Sequence, residues 1–290
     1  GVPGMAAAIW KDGEIVWHSE AGYRDAEQHL PVDENTVFRF ASVSKIFAAT
    51  AAARLREQGK LNVDQTGQEI LGDLDNNWVP LTARQLAAHT SGIPHYQDID
   101  ANRGGRHFAS ESDAVEVFKG RDLLFPSGSS YNYSSYGYTL LGAVIEHSAG
   151  QPFLDYLASE LVQDLAIGPD ATDQGQPDAS KAYDYSSGSL APSARHDYSY
   201  SISGAGIGGT AKDLARFGGR ILSGTVISDA TFEWMLKPAR LTDGTVVMDD
   251  EFPVGFGLRG GTDADGERIA HHAGVTQGAR SVLMMYPDRE

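Results

Sequence analysis

From Ile46 to Ala53 the chain reads Ile-Phe-Ala-Ala-Thr-Ala-Ala-Ala, apolar or small at every position. A helix of that composition has no face for water, so it must be covered on all sides and the rest of the domain built round it. Gly59 supplies a stop. Just upstream, Phe38-Arg39-Phe40-Ala41-Ser42-Val43-Ser44-Lys45 reads as a short strand running into this helix. Residues three apart share a helix face. Ser42 and Lys45 can therefore touch, and a hydroxyl held against an amine is a candidate activated nucleophile. Burial beside such a helix lowers a lysine pKa, which a lysine general base requires. The pair alone carries little weight, because a Ser-x-x-Lys match arises about once by chance in a chain of this size. Its plain alternative is Ser42 as an N-cap with Lys45 solvated in the first turn.

Strand character brackets this centre. Met5–Trp10 and Glu14–Gly22 are apolar-rich runs joined by Lys11-Asp12-Gly13, a hairpin signal. Asp33-Glu34-Asn35 reads as a turn and Thr36–Phe40 as a third short strand. Strands return at Val254–Arg259, Arg268–His272 and Ala279–Tyr286. Between them the pattern predicts helices at Thr82–His89, Glu111–Lys119, from Ser134 or Ser135 to Gly150, Pro152–Asp164, Thr210–Leu222 and Ser228–Leu236. Gly168–His196, rich in Gly, Ser, Asp and Pro, reads as a long loop region. The pattern predicts an α/β (α+β) chain. Residues 1–60 and 204–290 form a sheet region from both termini, and 61–203 form an inserted helical region. The chain ends directly after an apolar strand with no closing helix, as a trimmed sequence would.

Composition removes whole classes of function. The 290 residues carry 39 acidic against 23 basic side chains, a net charge of −16. Such a surface repels phosphate backbones and anionic lipid, which argues against nucleic-acid partners. There is no cysteine, so disulfides, thiolate metal sites and cysteine nucleophiles are excluded. No apolar run is long enough to predict a membrane span. The first residue is Gly1 and no leader is visible, so a periplasmic, secreted or cytoplasmic location fits equally.

Three other constellations carry chemistry. Tyr131-Asn132-Tyr133-Ser134-Ser135-Tyr136-Gly137-Tyr138 is an aromatic cluster at a helix entry, with core packing as the plain reading of Tyr131, Tyr136 and Tyr138. Ile269-Ala270-His271-His272-Ala273-Gly274-Val275 is a strand whose glycine lets another backbone come close. Adjacent histidines point to opposite faces of a strand and no further ligand sits at metal spacing, so no metal is expected. Gly204-Ala205-Gly206-Ile207-Gly208-Gly209 fits a dinucleotide fingerprint, but the polar Asp197–Ser203 run before it is not a buried strand. Backbone packing is the better reading, and no cofactor is expected. Asp73-Leu74-Asp75-Asn76-Asn77 lacks the Gly and Glu of a calcium loop. There is no Gly-x-Ser-x-Gly elbow.

Ser42-Val43-Ser44-Lys45, Tyr133-Ser134-Ser135 and His272-Ala273-Gly274, in that order, resemble the three motifs of the serine β-lactamase and penicillin-binding-protein superfamily, in its class C-like branch. Leu86-Ala87-Ala88-His89-Thr90-Ser91-Gly92-Ile93-Pro94 and Tyr136-Gly137-Tyr138-Thr139-Leu140-Leu141-Gly142 add to the likeness, as does Gly209–Phe217. The wording is similar to that of the mitochondrial β-lactamase-like serine protease and its bacterial relatives. The resemblance implies a β-lactamase/transpeptidase-like fold: an antiparallel sheet flanked by helices, an all-helical region, and one active site in the groove between them. It implies a Ser42 acyl-enzyme, with Lys45 and Tyr133 sharing the proton. The backbone N–H groups of Ser42 and Val275, beside Gly274, would form the oxyanion hole. His272 would line the opposite wall, against a substrate carbonyl or carboxylate.

Two departures shape the substrate expectation. Ser135 stands where many relatives carry Asn, and a hydroxyl cannot offer both ends of an amide. His272 replaces a lysine, so the cation suited to a β-lactam carboxylate becomes a group charged only near and below pH 6–7. Both favour an esterase, peptidase or amidase on small ester, amide or peptide substrates, with weak or no β-lactam turnover. The alternatives are a true β-lactamase, a D-alanyl-D-alanine carboxypeptidase, or a catalytically silent binding relative. A nicotinamide enzyme would rest on the glycine cluster alone. The segments that would shape the pocket are about 95–130 and 170–203, with Tyr183, Tyr185, Tyr198 and Tyr200 as either an aromatic lip or packing residues.

Overall fold

The computed structural model describes residues 2–289 apart from 73, 75–77, 79, 98, 99, 101, 102, 171–175 and 187. Most of the acidic run 73–77, and parts of the two pocket-shaping segments, lie outside the described residues.

β1 (Gly4–Lys11) and β2 (Glu14–Asp25) pair antiparallel across Asp12 and Gly13, which take φ of 51° and 93°. Two positive φ values make the turn whose twist suits a hairpin. β3 (Leu30–Pro31) extends that sheet, and β4 (Phe38–Arg39) leads to α1 (Ser44–Glu57). Every residue from Ser44 to Ala53 is buried, as the all-apolar run predicts. Phe47 stacks on Phe217 at 4.1 Å, and cutting such a core Phe to Ala costs roughly 3–5 kcal/mol.

α2 (Gly67–Leu71) and α3 (Ala83–Ala87) open on capping boxes, Thr66 with Glu69 and Thr82 with Gln85. Ser110 caps α4 (Glu111–Ala114), and a 3-10 turn continues it to Val117. α5 (Ser135–Ala149) is buried from Ser135 to Glu146 and ends at Gly150, whose φ is 70°. α6 (Phe153–Tyr156) runs on as a π-helical Leu157–Leu161. α1 and α5 pack on each other and on α7 (Ile202–Ala205).

The region read as loop contains β5 (Ile167–Pro169) and a hairpin of β6 (Tyr183–Ser186) and β7 (Ser189–Pro192). β5 and β4 both pair antiparallel with β8 (Ile207–Gly209). Of the dinucleotide-like glycines, Gly208 and Gly209 therefore lie inside a small sheet, where a Cβ on Gly209 would come within 2.6 Å of the Ala166 carbonyl oxygen, while Gly204 belongs to α7 (Ile202–Ala205) and Gly206 closes it. α8 (Ala211–Leu222) follows, capped by Thr210, then α9 (Asp229–Leu236), capped by Ser228. β9 (Met248–Asp249) and β10 (Phe252–Pro253) form a short hairpin. β11 (Arg259–Thr262), β12 (Arg268–Thr276) and β13 (Ala279–Met285) form an antiparallel sheet in that order.

The expected strand at Val254–Arg259 is replaced by a turn, and β11 begins only at Arg259. Gly257 has φ 79°, and the chain there crosses so close to α1 that a Cβ would meet that of Ala49 at 2.1 Å. α8 lies against both β1 and β13. Its Gly219 seats the Trp10 ring and its Gly218 faces Leu283, so one helix joins the sheets from the two ends of the chain. Among the described residues no helix is long and apolar enough to cross a membrane.

Candidate active site

The start of α1, the start of α5 and the end of α7 meet at Lys45. Its Nζ lies 3.2 Å from Ser42 Oγ, 2.9 Å from Ser135 Oγ and 2.6 Å from the Gly204 carbonyl oxygen. Lys45 is fully buried, and among the described residues no carboxylate pairs with it. A carbonyl can only accept, so Gly204 takes one N–H. Ser135 can accept a second. A neutral amine held this way has its lone pair left for the Ser42 hydroxyl. Ser42 sits in a 3-10 turn (Ala41–Val43) behind Ala41, whose φ is 49°. A left-handed alanine costs roughly 1–2 kcal/mol. It is held by Phe40, whose N–H donates to Ile207 and whose carbonyl takes the Ser281 hydroxyl. Ser44 accepts the Ile207 N–H at 3.0 Å and so fastens the start of α1 to β8.

The second motif divides its labour. Ser134 caps α5, accepting the Gly137 N–H at 2.9 Å. Ser135 is thereby released from capping, and its hydroxyl faces Lys45. Two histidines hold this entry. His89 Nδ1 accepts the Ser134 N–H and His95 Nδ1 accepts the Ser135 N–H, each at 3.1 Å. The His89 ring also lies 4.3 Å from the Tyr133 ring. Neither histidine was singled out from the sequence, although His89 stands within the Leu86–Pro94 wording. Tyr133 is partly exposed, and its hydroxyl hydrogen-bonds Ser42. Lys45 Nζ lies 4.8 Å from the Tyr133 ring centroid.

Burial, then the Arg259 charge, lowers the Lys45 pKa well below its ordinary value. Burial raises that of Tyr133, against the pull of the Ser42 hydrogen bond and Arg259. At rest these shifts favour a neutral Lys45 amine and a protonated Tyr133 phenol.

His272 corrects one expectation. It is buried, and burial, with Arg259 and Lys45 nearby, drives its pKa well below 6.5. It is neutral near pH 7, so it provides neither a cation for a carboxylate nor a titration at pH 6–7. Its Nδ1 lies 2.7 Å from the Ala273 carbonyl. That carbonyl can only accept, which assigns the proton to Nδ1 and leaves Nε2 as an acceptor.

The cation of the site is Arg259, also not singled out from the sequence. Its Cζ is 5.8 Å from the Tyr133 ring centroid, and its guanidinium is paired with Asp249. Strand register could have found it, because Arg259 lies opposite His271 in the β11–β12 pair. β11 covers β12 only as far as His271. From His272 onward that edge has no strand partner among the described residues and runs past the Ser42 turn. A Cβ on Gly274 would meet the Phe40 carbonyl oxygen at 2.3 Å. Val275 turns its side chain outward, 60% exposed, so it can act there only through its backbone.

Other expected residues lie elsewhere. Tyr183, Tyr198 and Tyr200 are buried packing residues, and Tyr185 lies exposed on the β6–β7 hairpin. A cavity of about 1550 Å³ lies between β1, β13 and the side chains of Tyr183, Tyr185 and Leu190. Ser42, Lys45 and Tyr133 do not line it. Among the described residues, no group of three or more His, Asp or Glu could hold a metal ion.

The sequence model of the Beta-lactamase family matches residues 1–290. The mouse (Mus musculus) mitochondrial serine beta-lactamase-like protein LACTB is 25% identical, over 99% of this chain and 70% of its own. The octameric penicillin-binding protein homologue from Pyrococcus abyssi superposes with a TM-score of 0.82 at 23% identity, covering 99% of this chain and 68% of that one. EstCE1, a hydrolase with promiscuous acyltransferase activity, gives 0.80 at 23%, covering 99% and 86%. These likenesses show the β-lactamase/transpeptidase-like fold.

Proposed function

The chain belongs to the Beta-lactamase family, and from that membership we propose a serine hydrolase that carries acyl groups on Ser42. Its substrates are small esters, amides or peptides, with little turnover of β-lactams. The observation that carries this reading is the buried Lys45 amine, held by Ser135 and Gly204 against Ser42.

Ser42 Oγ attacks the substrate carbonyl carbon as its proton passes to Lys45. The carbonyl oxygen takes up the electron pair, facing the N–H groups of Ser42 and Val275. Tyr133 gives its phenolic proton to the departing alkoxide or amine and recovers one from the Lys45 ammonium. Water then attacks the acyl-enzyme and loses its proton to Lys45. Ser42 leaves and is reprotonated through Tyr133. Each such proton transfer contributes roughly 10²–10⁴-fold, and each oxyanion donor roughly 3–4 kcal/mol.

Esters and amides are favoured over β-lactams because neither positively chargeable wall group is free for a carboxylate. His272 is neutral and Arg259 is engaged by Asp249. Incubation with a fluorophosphonate, followed by peptide mass spectrometry, should find the adduct on Ser42. Short-chain p-nitrophenyl esters and aminoacyl amides should turn over faster than nitrocefin, and Ser42→Ala should abolish all of it. An adduct elsewhere, or none, overturns the reading, and a binding-only relative would turn over nothing.

A further inference from the structure

Glu111 is a buried acid that the chemistry above does not use. It projects from α4 into the seam between α5 and α7, with its side chain resting on Gly142. Its Oε1 accepts the Ser203 N–H, and Ser203 Oγ donates to the Tyr138 carbonyl at 2.8 Å. The N-cap residue of α7, Ser201, makes no side-chain capping bond, so Glu111 takes one of the amides that a helix start leaves open. The other end of the same single turn carries Gly204, whose carbonyl binds Lys45 Nζ at 2.6 Å.

We propose that Glu111 is a positioning residue for acylation: by holding the Ser203 amide it fixes α7, and through the Gly204 carbonyl it aims the Lys45 amine at Ser42. This rests on the serine hydrolase reading. Glu111 touches neither Ser42 nor Lys45, so its effect falls on the rate of acylation and not on substrate affinity.

The surroundings require a neutral acid. From α5, Glu146 presents a carboxylate that accepts from the Glu111 and Ser112 amides at 3.0 Å each, the Ser112 hydroxyl at 2.7 Å and the Phe153 amide at 3.2 Å. From Ser199 to Ala205 the packed turn offers hydroxyls and amides, Tyr200 among them, and no charge. Among the described residues Glu111 Oε2 has no hydrogen-bond partner. Burial, with Glu146 adding to it against the Ser203 bonds, raises the Glu111 pKa to about 8. Above that pH the carboxylate stands beside the like charge of Glu146, with no cation paired to it among the described residues. Repulsion from Glu146 and the lack of hydration push it out of the seam, and Ser203 and Gly204 shift with it.

The test uses the intact protein with p-nitrophenyl acetate, following the acylation rate from pH 6 to 10. Wild type should lose rate on the alkaline side with a midpoint near pH 8. Glu111→Gln keeps the acceptor and the shape but does not titrate, so it should hold the neutral-pH rate within about twofold and lose that limb. Glu111→Ala should lower kcat at least tenfold at every pH with KM little changed, and its crystal structure should show Gly204 O drawn away from Lys45 Nζ. An alkaline limb that persists in Glu111→Gln, or an undisturbed Gly204–Lys45 contact in Glu111→Ala, overturns the inference. If wild type takes no fluorophosphonate on Ser42, the hydrolase reading fails instead, and the Gly204–Lys45 geometry still decides whether Glu111 positions the lysine.

Discussion

Ser135 Oγ lies 2.9 Å from Lys45 Nζ, while Ser134 immediately before it spends its hydroxyl on the Gly137 amide. Of these neighbouring serines, one faces the buried amine and the other caps α5. Ser135→Ala should cut kcat/KM for ester hydrolysis by roughly 10–100-fold while leaving the melting temperature within a degree or two. Ser134→Ala removes an N-cap worth about 1 kcal/mol. It should lower the melting temperature and spare most of the activity. Equal effects of the two variants on both readouts would contradict the division.

Tyr133 is kept protonated by burial, and its hydroxyl touches Ser42. Tyr133→Phe should therefore slow acylation by roughly 10²–10⁴-fold, the range of a lost general acid, with the fold unchanged by circular dichroism. The loss should be smallest for p-nitrophenyl esters, whose leaving group needs no proton, and larger for amides. A uniform loss across leaving groups would remove Tyr133 from the leaving-group step.

The same geometry shows what a sequence can carry. The Asp12-Gly13 hairpin, the buried run from Ile46 and the Ser42–Lys45 contact are local, set by neighbours a few residues apart. β5 and the β6–β7 hairpin were hidden because they are three or four residues long and β5 pairs with β8, far along the chain. The Gly204 carbonyl was illegible for another reason: every residue owns one, and no side chain advertises which will face an amine. Arg259 needed strand register. The charge of His272 depends on burial, which tertiary packing sets and motif wording does not.

His89 and His272 are buried and neutral, with native pKa values depressed well below 6.5. The unfolded chain binds protons at these sites at a higher pH than the native one does. Stability is therefore fully present above about pH 6.5 and is lost as pH falls toward the native values. Each site contributes a slope of up to about 1.4 kcal/mol per pH unit in that window. His89→Asn keeps an acceptor for the Ser134 amide and tolerates the φ of 59° found there. In chemical denaturation between pH 4.5 and 7.5 it should flatten the slope. An unchanged slope would mean that His89 is not the titrating group.

Gly274 is where β12 passes the nucleophile turn. A Cβ there would sit 2.3 Å from the Phe40 carbonyl oxygen and 2.4 Å from Ser281 Oγ, so Gly274→Ala must push the strand away from Ser42. The proposed Val275 donor moves with it. The kcat should fall by roughly 10²–10³-fold, the usual effect of a lost oxyanion donor, with a smaller change in KM. Gly260→Ala on β11 is the control, because its nearest neighbour, the Leu236 carbonyl, would be 3.9 Å from the new Cβ. If Gly274→Ala kept wild-type kcat while Gly260→Ala did too, the free edge of β12 would have no part in stabilising the oxyanion.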